Sequence, residues 1–245
     1  DDTGHLYYQC SGISEDTFLA AKASSPREGS VSAQGSVPQS CSVPIATPPI
    51  RHSRPGSSKV IYLDFNGHTI TGTVWNTAYG SPSDVDYRPA VASYVAKPFS
   101  IDGDFTTFND SEQAAIIRIW ERVAEDFIPF DVDVTTEEPA SFTPTTGRVL
   151  MTNSVDANGA SMPSSAAAAG VAFLDVFGDA DYVSARSPAL VYVDREYFYA
   201  DYIAEAASHE MGHNLSLSHD GLLPNSTANE YYSGHGYGSA SWGPI

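Results

Sequence analysis

Several things are scarce in this chain of 245 residues, and each scarcity excludes something. Basic residues are few: 12 Lys and Arg stand against 30 Asp and Glu, for a formal net charge of −18. A surface this negative repels phosphate backbones and anionic headgroups, which argues against nucleic acid and against membrane docking. Long apolar runs are missing. The longest, AAAAGVAFL at 166–174, is Ala-rich and far too short to span a bilayer. The chain opens on DDTGHLYYQC with neither Met nor a signal peptide, and the expectation is a leader that was removed or left out. Two cysteines, Cys10 and Cys41, bracket a Ser/Pro-rich stretch. The first reading is one disulfide, formed in an oxidising compartment; free thiols are the other.

What is present divides at about residue 58. Residues 1–58 are dense in Ser, Pro and Gly after a short piece, SEDTFLAAKA, and read as a strap or prosegment-like stretch. Within it, REGSVSAQGS (27–36) reads as an exposed, cleavable loop. From 59 to 245 the pattern is that of a packed domain. KVIYLDF (59–65), FDVDVTTE (130–137), GRVLMTN (147–153), GVAFLDVF (170–177) and ALVYVDR (189–195) read as strands. The polar connection between the first strand and Asp110 is expected to hold a hairpin around TITGTVWN (69–76).

NDSEQAAIIRIWERVAEDF (109–127) carries Ile116, Trp120, Val123 and Phe127 on one helical face, with Asp110 or Ser111 as its cap and Pro129 ending it. Strands alternating with helices predict an α/β protein with a twisted, mainly parallel sheet.

The stretch AEAASHEMGHNLSLSHDG (204–221) carries the chemistry. His209 and His213 are four apart, so on a helix they stand one above the other and can share one zinc ion, while Glu210 lies beside them. Ile203, Ala207, Met211 and Leu215 form the opposite, buried face. His219 is six residues beyond His213; on a continuing helix it would point away. For three imidazoles to meet, the helix must stop near Leu215 or Ser216 and the chain must turn back. Glu230 in TANEYY offers a different third ligand, as in thermolysin-like sites.

HEMGHNLSLSHD (209–220) resembles the extended zinc signature of the metzincin metalloproteases, and Asp220 after the third His resembles the reprolysin, or adamalysin-like, branch. Ser216 stands where that signature has Gly, and Met151, Met162 and Met211 all precede His219, whereas the family places a Met-containing turn after it. The resemblance implies a metzincin-like catalytic domain over 59–245, its C-terminal subdomain incomplete, with an antiparallel edge strand in a sheet packed on two long helices. It implies one catalytic Zn²⁺ on His209, His213 and His219, Glu210 as general base, and Asp220 fixing the turn.

The expected activity is that of a secreted zinc endopeptidase cutting protein or peptide substrates. A catalytically silent metal- and peptide-binding pseudo-protease is the alternative. Substrate would lie extended along an edge strand, here Gly170, Val171, Ala172 and Phe173, whose small residues admit another backbone. The chain's own N-terminal segment is a candidate inhibitor, through Cys10, Cys41, Asp1, Asp2 or Asp16. Two acidic stretches, with Asp102, Asp104 and Asp110 in one and Asp175, Asp179 and Asp181 in the other, offer oxygens for Ca²⁺ or form solvated turns. His68 and His235 read as loop residues.

Overall fold

The computed structural model describes residues 7–10, 41–81, 88–166, 168–219, 235–237 and 240–242. At its centre is a six-stranded sheet in the order β1(Tyr7–Cys10), β9(Gly170–Phe173), β10(Ala189–Tyr192), β8(Thr146–Thr152), β3(Val60–Asp64), β7(Asp133–Thr135). β10, β8, β3 and β7 are mutually parallel; β9 runs antiparallel to β10, and β1 antiparallel to β9. The α/β class with a mainly parallel sheet is therefore as expected. Each strand of the sequence reading is present; β8 keeps its length but starts one residue earlier, and the others are shorter, β9 ending at Phe173 and β10 at Tyr192.

Two helices cover one face. α1 (Asp110–Asp126) forms because Ile116, Ile119, Val123 and Phe127 recur on one side, all of them buried. Its cap is Asn109, one residue before the expected pair. The Asn109 side chain accepts the N–H groups of Ser111 (2.9 Å) and Glu112 (3.0 Å), and Glu112 accepts the Asn109 N–H in return (2.9 Å). Trp120 is only half-buried, since its indole N–H reaches out to the Val134 carbonyl (2.9 Å); Ile119 takes its place on the core stripe. α2 (Ala200–Asn214) lies beside α1 and runs the same way. Arg118 meets Asp201 (2.8 Å), Arg122 meets Glu205 (3.0 Å), and Ser208 donates to Asp126 (2.6 Å). Ile203, Ala207 and Met211 press on Val149, Met151, Val191 and Ala172 of the sheet; Leu215, expected on that face, is exposed because the helix has already ended.

The opposite face of the sheet is covered by chain that reads as loop. The expected hairpin at 69–76 does not form: β4 (His68–Thr71) pairs with β5 (Ser93–Ala96), and Val74–Asn76 is a single 3₁₀ turn. Trp75 explains this. It is fully buried, its ring 4.3 Å from that of Phe173, and its indole donates to the Pro188 carbonyl (3.0 Å). With Tyr94, Tyr182 and Met162 it packs on Leu150, Val171, Leu190 and Tyr192. His68 is thus a strand residue rather than a loop residue, and His235 lies in a small ladder of β11 (His235–Tyr237) with β12 (Ala240–Trp242).

Residues 41–57 are laid onto the domain. β2 (Val43–Pro44) pairs with β6 (Thr107–Phe108), Ser53 N–H donates to the Val134 carbonyl (3.0 Å), and His52 bridges to β7. The disulfide reading needs correction, for Cys41 is an exposed free thiol. The two cysteines are anchored to different elements. Cys41 N–H donates to Asp110 (3.1 Å) at the start of α1, whereas Cys10 is paired with Gly170 on β9. Among the described residues no helix is long and apolar enough to cross a membrane.

Candidate metal centre

The last turn of α2 carries His209 and His213 on one face, as four-residue spacing requires, with ring centroids 4.5 Å apart. The helix then stops as the histidine spacing demands. Ser216 N–H donates to the His213 carbonyl (3.0 Å) and Leu217 N–H to that of Gly212 (2.9 Å), the paired bonds of a Schellman ending. Ser216 sits at φ 78°, in the left-handed region that favours glycine. Leu217 folds back over Gly212, where a Cβ would meet the Leu217 Cδ1 at 3.5 Å. This reversal returns His219 to the first two rings.

The three imidazoles converge. The centroid of His219 lies 5.1 Å from that of His209 and 4.9 Å from that of His213. Nε2 of His209 and Nε2 of His219 face each other at 3.1 Å. Two nitrogens each bound at about 2.0–2.1 Å to one tetrahedral zinc stand about 3.3 Å apart, so this spacing fits a shared ion. Nδ1 of His213 is 2.7 Å from the Leu217 carbonyl; a carbonyl cannot donate, so Nδ1 carries the proton and Nε2 keeps its lone pair. Burial, with the two neighbouring imidazoles helping, holds the His213 pKa down at about 4. It is neutral at physiological pH, as a ligand must be. Among the described residues this triad is the one group of His, Cys, Asp or Glu with three ligand atoms mutually within 4.8 Å.

Glu210, fully buried, points from α2 to β9. A Cβ on Gly170 would lie 2.3 Å from its Oε1, so Gly170 is small because the carboxylate occupies that space. The same strand is bolted to the helix end. Asn214 donates to the Phe173 carbonyl (2.8 Å) and accepts from the Tyr182 hydroxyl (2.6 Å). Asp175 N–H donates to the His213 carbonyl (2.9 Å); those of Val176 (3.0 Å) and Phe177 (2.9 Å) donate to the Asn214 carbonyl. The carbonyls left open by the end of α2 are thus satisfied by a loop some forty residues upstream, and β9 and the histidine turn form one piece. Sequence reasoning missed Asn214 and the 175–177 loop, because a backbone cap from a distant segment leaves no residue-type signature.

A cavity of about 140 Å³ opens beside the triad, lined by Phe127, Phe130, Gly212 and Leu217 with His209 and His213. The substrate-edge residues Gly170, Val171, Ala172 and Phe173 all lie in β9, but β9 is not the sheet's edge: β1 covers it. The carboxylates of the first acidic stretch are engaged by their own loop. Asp102 accepts from Asp104 N–H (2.8 Å), Asn109 (2.9 Å) and Ser100 (3.2 Å), and Asp104 accepts from Thr106 (2.6 Å) and Thr107 (2.8 Å). Those bonds hold both acids below the usual carboxylate range. Asp110 takes the Cys41 N–H, and Asp181 meets Arg186 at 2.5 Å. Asp220, Glu230, Asp1, Asp2 and Asp16 lie outside the described residues. Comparisons of the chain with protein-family models, with curated proteins and with solved structures return no match.

Proposed function

We propose that this protein is a zinc-dependent endopeptidase of metzincin type, acting on protein or peptide substrates, with His209, His213 and His219 as metal ligands and Glu210 as general base. The observation that carries the reading is the reversal at Ser216, which brings a third imidazole back to the first two. A structural cluster of surface histidines has no need of a strained serine to assemble it. The sheet supports the same reading, with one reversed strand, β9, next to parallel neighbours and set against the histidine-bearing helix.

Zinc on three neutral imidazoles would supply Lewis acidity at a scissile carbonyl and lower the pKa of water toward about 7. The residues do the rest. The Leu217 carbonyl fixes the His213 tautomer, and the Schellman turn fixes His219. Glu210, withdrawn from bulk water, takes a proton during attack and returns it to the leaving amine. With its outer edge cleared of β1, β9 would align an extended peptide by main-chain hydrogen bonds. Action outside the cell rests on the resemblance alone, because free Cys41 removes the disulfide argument.

The rival is the silent metal-binding module, favoured by the complete burial of Glu210 beneath Gly170. Casein hydrolysis separates the two. We expect zinc-loaded protein to cleave casein, and chelation or Glu210→Ala to abolish cleavage while the variant still binds one zinc. Equal rates in wild type and Glu210→Ala would end the proposed mechanism, and zinc binding with no cleavage in either protein would leave the rival.

A further inference from the structure

We propose that the cavity beside the histidine cluster is a subsite for a basic side chain, so that the peptides this protein takes are held and cut next to Lys or Arg. The inference rests on the protease reading and names the substrate class of that same site.

The cavity lies where two helices end. Its walls come from the end of α1 and the chain just after it, through Asp126, Phe127 and Phe130, and from the last two turns of α2 and its reversal, through Ser208, Gly212 and Leu217. A helix C-terminus carries roughly half a negative charge, and two such ends border this one space. No basic side chain stands in the last turn of α1; Glu125 and Asp126 are there instead, where the dipole disfavours them. In the last turn of α2 the basic residue is His213, which is held neutral.

Asp126 supplies the specific contact. Its Oδ2 accepts from the hydroxyl of Ser208 (2.6 Å), a buried residue, and this fixes the carboxylate at the cavity wall. Arg122, one turn earlier on α1, is committed to Glu205 (3.0 Å). The rest of the cavity suits the stem of a long basic side chain. The rings of Phe127 and Phe130 are 6.3 Å apart and inclined at 56°. Phe127 is buried, whereas Phe130 and Leu217 are open to solvent. Lys and Arg lay their methylene stems on such surfaces, and a cation over an aromatic face gains further. Gly212 leaves the space clear: a Cβ there would find only Leu217, its Cδ1 at 3.5 Å.

About 140 Å³ with apolar walls and one carboxylate accepts one side chain of this kind. A neutral side chain leaves Asp126 without a counter-charge, and an acidic one is repelled by it and by both helix ends. The net charge of −18 draws cationic peptides toward the molecule as a whole. A bound zinc ion opposes the cation, so the discrimination has to be read on loaded protein.

The test uses the full chain, zinc-loaded, as wild type and Asp126→Asn, each also made with Glu210→Gln for binding measurements without turnover. Asparagine keeps an acceptor for Ser208 and removes a charge that the helix end disfavours, so Tm should not fall. Three synthetic octapeptides, identical but for one central Lys, norleucine or Glu, are titrated into the Glu210→Gln proteins and followed by amide chemical shifts. Cut sites in casein are mapped by mass spectrometry for the proteins that retain Glu210.

The Lys peptide should shift the Phe127, Gly212 and Leu217 amides and bind roughly 5- to 10-fold tighter than the norleucine peptide, with the Glu peptide weakest. Asp126→Asn should close the gap between Lys and norleucine, and added salt should narrow it. Casein cuts beside Lys or Arg should lose their lead in the same variant. Equal affinity for the Lys and norleucine peptides in protein with Asp126, or a Lys preference unmoved by Asp126→Asn, would overturn the subsite even if Glu210-dependent hydrolysis persists. A Lys preference that depends on Asp126, with no casein cleavage by wild type, would uphold the subsite and overturn the protease reading instead.

Discussion

His52 and His213 are both imidazoles partly withdrawn from water, and the protein treats them in opposite ways. Burial draws both pKa values down. At His52 that pull is outweighed: Nδ1 faces Asp133 at 2.7 Å and Nε2 faces Glu137 at 2.8 Å, and the two carboxylates hold its pKa above the ordinary value. At His213 the partner on Nδ1 is a neutral carbonyl and the other neighbours are imidazoles, so burial prevails. The first ring is built to carry a proton on each nitrogen and to pin residues 49–54 to β7. The second gives up one nitrogen to the backbone and keeps a lone pair on the other. Local partners, more than burial, decide whether a histidine becomes a cation or keeps a lone pair.

Zinc binding is the strongest way to break this comparison. His219→Ala should weaken zinc by more than the roughly 100-fold that loss of an outer partner costs a metal site. His52→Ala should leave zinc affinity unchanged, because neither of its nitrogens belongs to the triad. Competition against a chromophoric chelator measures both. A zinc site that survives in His219→Ala, or fails in His52→Ala, would mean that the lone-pair distinction has been misassigned.

The second prediction sharpens what holds the triad together. Ser216 carries a Cβ at φ 78°, a cost of about 1 kcal/mol relative to glycine. Ser216→Gly should therefore raise Tm by about 2–4 °C for a domain of this size, with zinc affinity retained. Its side chain is exposed, so little packing is lost. A fall in Tm would show that the serine hydroxyl does something for the turn that its backbone strain conceals.

Much of this was legible in advance wherever the determinants are local. The i, i+4 pair His209 and His213, the need for a reversal near Leu215 and the buried stripe of α1 all follow from helical geometry within about a dozen residues. The same limit explains the misses. Trp75 buries itself under Pro188 and Phe173, about a hundred residues away, so a polar stretch that reads as a hairpin becomes a layer of the core. Asn109, not its neighbours, caps α1; propensity alone ranks these residues too closely to choose. Two cysteines suggested a bond because counting ignores which elements hold them. β1, four residues ahead of the Ser-rich stretch, could not be seen at all, since only its partner β9 makes it a strand.

The smallest effect concerns His52 and comes with a definite sign. Its folded-state pKa is raised above the unfolded value of 6.5, so folding binds its proton more tightly. The stability it contributes is fully present below about pH 6.5 and is lost as pH rises through the folded pKa. Because Glu137 is exposed and His52 partly so, screening keeps the contribution modest and sensitive to salt. In chelator-treated protein the Tm difference between wild type and His52→Gln should be widest near about pH 5.5 and narrow toward about pH 8.5. Added salt should shrink it at the acidic end. A gap that widens with pH would mean that folding releases the His52 proton, so that burial prevails there as it does at His213 and the contrast between the two rings fails.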